Sequence, residues 1–571
     1  MKKALLALAL AVALAGGVRA GNDDDHENDR HDYDRFEFQP GTLVLSRSVY
    51  VGAPSMLVPG TTVLPPGCVP GPVNVPLVAG GTVAVVIPSG FNSGGCTTAV
   101  ADGTYPSVFA NDTTDGSFGI TSPIFLDNIT SDGHKLGTLR IPTDQIVTSF
   151  SSKSELALNL ALDRKSITFM GYRGGPGFVT GPNQFDVSNS NTPGVVDPTN
   201  PVVSQYYRSV AEVDAHGRLH ITEGNAYSGN NGRAAIKADW MYYMVGNDNN
   251  GGLSKGQLTT TQPGVNLVNS TGAELLVPGQ TPPVPPNITK IGDFEVTQAS
   301  VGYKTADKPG KDNNFRGLTI FNNTMYVTKG SGGNGVNTVY QVGNAGTLPT
   351  DSSVAALAAL PITILPGFPT TLASGVALDG TKGNPVAYPF GIWFANSSTL
   401  YVCDEGDGTL VPLSPANANL ADAATLATAG LQKWSLVNGK WQMLYVIQDG
   451  LNIGVPYGIE GYPAALNPAT GGCRNLTGKV NRDGTVTVYA VTSTVSTSGD
   501  QGADPNLLVK VIDKLDATVL SKGDGDHDSD DRLDRFKVIR RAKYGEVLRG
   551  VAFAPQDRDD DHHDDHDGDW R

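Results

Sequence analysis

Residues 315–329 read FRGLTIFNNTMYVTK, and residues 389–404 read PFGIWFANSSTLYVCD. Each opens with a short apolar run entered through Arg316-Gly317 or Phe390-Gly391. Each then turns on Asn or Ser and resumes as an alternating strand, Met325-Tyr-Val or Leu400-Tyr-Val. A third run follows in both, Asn337–Val342 (NTVYQV) and Gly430–Leu436 (GLQKWSL), and the second copy adds a fourth, Trp441–Ile447 (WQMLYVI). Period-two patterning bounded by turn residues, with Asn438-Gly439 between two of the runs, is the signature of antiparallel hairpins. Four such strands in a meander make one blade of a β-propeller.

Weaker copies extend the pattern outward. One begins at Gly232-Arg-Ala-Ala-Ile and continues in Trp240–Val245, another begins at Pro456-Tyr-Gly-Ile-Glu and continues in Val486–Val491 and Asn506–Ile512, and a third runs through 155–172, 208–213 and 218–221. Leu548-Arg-Gly-Val-Ala-Phe is an opening run with no blade after it, and Gly41–Arg47 is a strand with no opening run before it. In a ring these two would share a blade, which leaves no open sheet edge. The expected fold is therefore all-β: a single propeller of six or seven four-stranded blades, closed by pairing its N- and C-terminal strands. The alternative is a tandem of β-sandwiches. Abundant Gly (69) and Pro (37), with only 17% charged residues, fit many short strands joined by turns.

The charge is segregated. Residues 21–35 (GNDDDHENDRHDYDR) carry 7 acids and 2 bases, residues 523–535 (GDGDHDSDDRLDR) 6 and 2, and residues 556–571 (QDRDDDHHDDHDGDWR) 8 and 2. Together they account for the whole net charge of −15, and they hold six of the nine histidines. The rest of the chain is neutral and offers no basic stripe, which argues against nucleic acid. Domain boundaries follow: a signal peptide 1–20, with a Lys2-Lys3 n-region, an apolar stretch and cleavage after Ala20; an acidic segment 21–35; a propeller 36–555 with a Pro/Gly-rich insertion 52–95 and the acidic loop 523–535; and an acidic tail 556–571. Export to a periplasmic or extracellular site is expected. No later stretch has the apolar length of a membrane span.

An exported chain with four cysteines, Cys68, Cys96, Cys403 and Cys473, favours disulfides. Of three pairings, Cys68–Cys96 with Cys403–Cys473 is preferred, since the first closes the insertion and the second joins neighbouring modules. Asp524, Asp526, Asp528 and Asp530 alternate in a Gly-containing loop, the opening rhythm of a calcium loop. Ser529 and Arg535 then stand where the sharp-turn Gly and the bidentate Glu of an EF-hand belong, leaving a looser calcium site or a solvated acidic loop. His562, His563 and His566, interleaved with Asp, suit zinc, nickel, copper or iron. His26 and His31 match them at the other end. Solubilising tails are the competing reading. The implied cofactor is calcium or another divalent metal, with no organic cofactor.

Arg233, Arg316 and Arg549 occupy the same place in their opening runs, and Phe390 and Tyr457 replace them in two others. The first strand of a propeller blade lines the axis, so these five residues would ring one mouth, where guanidinium forks suit a carboxylate or phosphate. Alternatively each Arg ties adjacent blades through backbone carbonyls.

The close Arg549–Pro555 (RGVAFAP), the strand Leu400–Val402, Gly430–Leu436 and Asn225–Arg233 (NAYSGNNGR) resemble a secreted bacterial β-propeller family and, more loosely, the YVTN and lactonase-type propellers. The resemblance covers most of 41–150, 155–245 and 311–555. It implies the fold rather than an activity, since propellers host enzymes, binders and scaffolds alike, and no lactonase metal-ligand set matches residue by residue. The functional expectation is a secreted, monomeric binding protein for a small molecule or surface component, with cation-binding acidic segments. The alternatives are a propeller hydrolase with a central metal and a surface or matrix protein bridged by calcium.

Overall fold

The computed structural model describes residues 36–49, 121–149, 152–174, 190–193, 205–247, 314–330, 335–349, 353–374, 387–408, 427–461, 464, 467–496, 502–521 and 532–557, with short strands inside 63–119 and at 272–276 and 289–291. Residues 1–35, where the signal peptide and the first acidic segment were expected, residues 522–531 and residues 558–571 lie outside the described residues.

The described chain is all-β, with a five-residue helix at Val354–Ala358. Four-stranded antiparallel sheets are arranged as a β-propeller, and five of them are meanders of four consecutive strands. The first comprises Asn159–Leu160, Ser166–Gly174, Tyr206–Asp214 and Leu219–Thr222. The second comprises Gly232–Ala238, Met241–Gly246, Gly272–Leu276 and Thr289–Ile291. The third runs Leu318–Phe321, Thr324–Lys329, Thr338–Val342 and Ile362–Ile364. The fourth runs Pro389–Asn396, Thr399–Asp404, Gly430–Val437 and Lys440–Ile447. The fifth runs Ala469–Val480, Thr485–Val495, Leu507–Lys514 and Lys537–Arg541.

A further four-stranded sheet is built from both ends of the chain. Leu43–Val49 lies between Ile124–Ile129 and Glu546–Phe553, with Lys135–Arg140 outermost. Leu43 faces Phe553 and Leu45 faces Val551 in an antiparallel register, as the sequence pattern anticipated. The innermost strands then touch in a closed circuit: Asn159–Leu160 to Gly232–Ala238, on to Leu318–Phe321, Pro389–Asn396, Ala469–Val480 and Glu546–Phe553, and back to Asn159–Leu160.

Hairpin turns are set locally. Asn322 and Asn323 both take positive φ (46° and 52°), as do Asn438 and Gly439 (51° and 76°); this left-handed pair matches the twist of the flanking strands and suits Asn and Gly. Two of the strands they join, Thr324–Lys329 and Gly430–Val437, are buried along most of their length. Phe321 of the third sheet stacks on Phe394 of the fourth at 4.8 Å, and Trp441 of the fourth sheet meets Phe394 edge-on at 5.8 Å, within one apolar cluster. Burying each such side chain contributes roughly 1.5–3 kcal/mol.

One register differs from the sequence reading. Pro456-Tyr457-Gly458-Ile459 does not open the fifth sheet; Pro456 makes an isolated bridge to Ala469, and the innermost strand is Ala469–Val480. Proline has no N–H to give to a ladder, and Gly454 and Gly461, both at φ 76°, put turns on either side of it.

The glycine of the opening runs has a steric cause. A Cβ on Gly317 would lie 2.0 Å from the Phe390 carbonyl oxygen, and one on Gly391 would lie 2.3 Å from that of Arg474. Gly317→Ala must push innermost strands apart and is expected to cost about 1–3 kcal/mol. Gly458→Ala, with nothing within 4 Å of its new Cβ, is expected to change stability by no more than about 0.5 kcal/mol. Denaturant unfolding of both decides it; equal losses would refute the packing argument.

Candidate functional site

Four guanidiniums lie on or just before the innermost strands. Arg233, Arg316, Arg474 and Arg549 are each more than nine-tenths buried. Three were expected there. Arg474 was not: in Arg474-Asn475-Leu476 an Asn stands where the other runs have Gly. Phe390 is fully buried between Arg316 and Arg474, whose guanidinium carbons lie 6.0 and 5.9 Å from its ring centre, in cation–π range. Tyr457 is not on an innermost strand; its hydroxyl donates to the Pro505 carbonyl at 2.8 Å.

These side chains converge on one piece of the chain itself, Ser152-Lys153-Ser154-Glu155, just before the first sheet. Arg549 donates to the Ser152 carbonyl, Asn231 to the Ser152 hydroxyl, and Arg316 to the Ser154 hydroxyl. The Lys153 ammonium lies 3.3 Å from Glu405, and Glu405 also accepts from Arg474 at 3.0 Å. Glu155 accepts from Thr148 (2.8 Å), the Ser149 amide (2.9 Å), Tyr172 and Asn231. A four-residue polar stretch thus gathers Arg549, Asn231, Arg316 and Glu405, and through Glu405 it is linked to Arg474 of the fifth sheet. Arg233 donates to Asn231 (3.0 Å), to Asn314 and to the Phe315 carbonyl (2.8 Å) of the next sheet. Asn475 reaches the Arg549 carbonyl at 2.6 Å.

Burial, then repulsion from Arg316, holds the Arg233 guanidinium well below its usual pKa, against the pull of Glu405 and Glu155. Burial pushes the neighbouring Asp404 carboxyl up to about 7, although the Tyr388 and Gly406 amides favour its charged form. Chemically, this centre is a set of charge-assisted donors and two engaged carboxylates suited to holding polar groups in place. The donors named here are directed at the protein's own carbonyls, hydroxyls, side-chain amides and carboxylates.

Cys403 and Cys473 form a disulfide joining the second strand of the fourth sheet to the innermost strand of the fifth, which is compatible with an oxidising compartment. Cys68 and Cys96 lie outside the described residues, as do Asp524, Asp526, Asp528, Asp530, His562, His563 and His566. Among the described residues no group of three His, Cys, Asp or Glu is arranged to hold a metal, and no helix is long and apolar enough to cross a membrane.

The bases of the two acidic ends meet. The Phe38 amide donates to the Ala215 carbonyl at 2.8 Å, and the Gln556 amide to the Arg164 carbonyl at 2.9 Å, so both ends dock on turns of the first sheet. Between them His216 turns one ring nitrogen to Asp557, hydrogen-bonded to it, and the other towards Glu37 at 3.7 Å.

No family model matches the chain, and no curated protein matches it. Among solved structures it is similar to a chain of an S. cerevisiae assembly containing dbp5, nup159 and gle1, at 8% identity and a TM-score of 0.25, over 68% of this chain and 84% of that one. It is also similar to the parainfluenza virus 5 hemagglutinin-neuraminidase, at 8% identity and a TM-score of 0.28, over 89% and 98%. Likenesses of this size carry no argument about function.

Proposed function

We propose that this protein is an exported, six-bladed β-propeller binding protein, the sheet made from both chain ends being the sixth blade, and that its His/Asp-rich ends act together to capture divalent cations. The observation that supports it is the meeting of Glu37 and Asp557 on His216. Two weak ligand segments tethered at one place face each other at high effective concentration, so their joint affinity exceeds that of either alone. Neutral imidazole with carboxylate suits zinc, nickel, copper or iron. The carboxylates nearest the axis, Glu155 and Glu405, already accept hydrogen bonds from the protein, which favours a binder over a hydrolase using them.

Titration calorimetry with zinc tests this. Replacing His562, His563 and His566 by Ala in the full chain, or His26 and His31 by Ala, is expected to weaken zinc binding about tenfold or more in each case. Equal affinity in wild type and both variants would reduce the segments to solubilising tails.

A further inference from the structure

Beside the third strand of the fifth sheet two buried carboxyls come together. Asp513, on Leu507–Lys514, is fully buried, and Asp534 is 6% exposed. Asp513 is held on its other sides: Tyr401 donates at 2.5 Å, Tyr445 at 2.7 Å, and the Lys433 ammonium lies 3.0 Å away. Asp534 accepts the Ser521 amide at 2.6 Å through Oδ2, and its own amide donates to the Ile512 carbonyl at 2.8 Å. Its Oδ1 is buried and meets no donor, and the bond from its amide to Ile512 sets Asp534 beside Asp513, the next residue of that strand. Two acceptors in contact can bond only through a proton, and a buried oxygen without a donor is costly unless it carries one.

We infer that Asp534 is a protonated carboxyl donating Oδ1–H to Asp513, a proton-held clasp that fastens Ser521 and Asp534 to the sheet and loosens when the proton leaves to solvent. Lys433 balances one negative charge. With Asp534 ionised the pocket would hold two, with Tyr401 and Tyr445 as neutral donors, Asp516 adding to the negative field near Tyr445, and Arg535 engaged outside by Asp449 at 3.2 Å. Burial and then Asp513 push the Asp534 carboxyl above its ordinary range, against the Ser521 amide. A raised carboxyl contributes stability that is fully present below its unfolded-state pKa and is lost as pH rises through the folded-state value. The clasp is therefore closed in acid and opens toward neutral or alkaline pH.

Hydrogen exchange of the Ser521 and Asp534 amides, from about pH 4 to about pH 8, reads the clasp directly. In the wild type, protection corrected for intrinsic exchange is expected to fall about tenfold or more across that range. In Asp534→Asn, whose amide donates to Asp513 at every pH, it should stay level. A wild-type profile as flat as the variant's would overturn the inference. So would protection that ignores pH and rises only when calcium is added, since the buried oxygen would then be a cation ligand. Should the variant fail to fold, infrared spectra of Asp404→Asn, which lacks the carboxyl that burial raises to about 7, decide: a protonated carboxyl band persisting above the ordinary carboxylate range supports the clasp, and its absence refutes it.

Discussion

Replacing Arg474 by Met is expected to destabilise the protein by about 3–5 kcal/mol, the range for breaking a buried ion pair from one side. Arg474 is 4% exposed and Glu405 2%, with Nε 3.0 Å from Oε2. Methionine fills similar volume, so the loss is electrostatic rather than a cavity. It leaves Glu405 with Lys153 at 3.3 Å, beside an Asp404 that burial already drives towards neutrality. The double variant Arg474→Met with Glu405→Gln should recover part of the loss, because the stranded charge is gone. Denaturant unfolding must be compared at one pH. The folded-state pKa of Asp404, about 7, exceeds its ordinary 3.8, so the stability it contributes is present below that ordinary value and is lost as pH rises through about 7. A loss under about 1 kcal/mol would place the pair among the weak surface bridges and refute this account of the axis.

The second large effect concerns the disulfide. Cys403 and Cys473 are fully buried and 70 residues apart. Closing a loop of that length removes chain entropy worth about 4 kcal/mol from the unfolded state. Cys403→Ser with Cys473→Ser is expected to lose that much, plus the penalty of burying two hydroxyls without assured partners. Unfolding free energies with and without the bridge measure it, and the variant should also expose more surface on unfolding, seen as a steeper denaturant slope. A loss under about 1 kcal/mol would mean that the fourth and fifth sheets remain associated in the denatured chain.

Much of the architecture was legible because local rules and the tertiary fold agree. Arg316-Gly-Leu, Phe390-Gly-Ile and Arg549-Gly-Val announce innermost strands, since glycine there is demanded by the neighbouring backbone. The fifth sheet misled because Pro456-Tyr-Gly-Ile imitates that triplet in a turn, while the true strand carries Asn475. Its side chain makes the bond to the Arg549 carbonyl, so the contact between strands survives without the glycine that advertised it. Ser152-Lys153-Ser154 gave no signal at all. A short polar stretch reads as a loop, and its role rests on partners as distant as Arg549, 397 residues away. The clasp was equally hidden, because Asp534 sits in an acidic run whose composition suggests solvation, whereas it is buried between exposed Arg532 and Arg535.

The sheet that joins residue 43 to residue 553 also sets an order of events. A chain that emerges N-terminus first offers Leu43–Val49 long before its partner strand exists. Until Glu546–Phe553 arrives, one flank of that strand is an unpaired ladder, the kind of surface that recruits other chains. Contacts spanning so much sequence also form slowly. Glu546–Phe553 is therefore the strand that closes the circuit: a product cut short before Glu546 shows a hydrogen-bond-hungry margin by which a protease or chaperone can tell it from one that carries the closing strand.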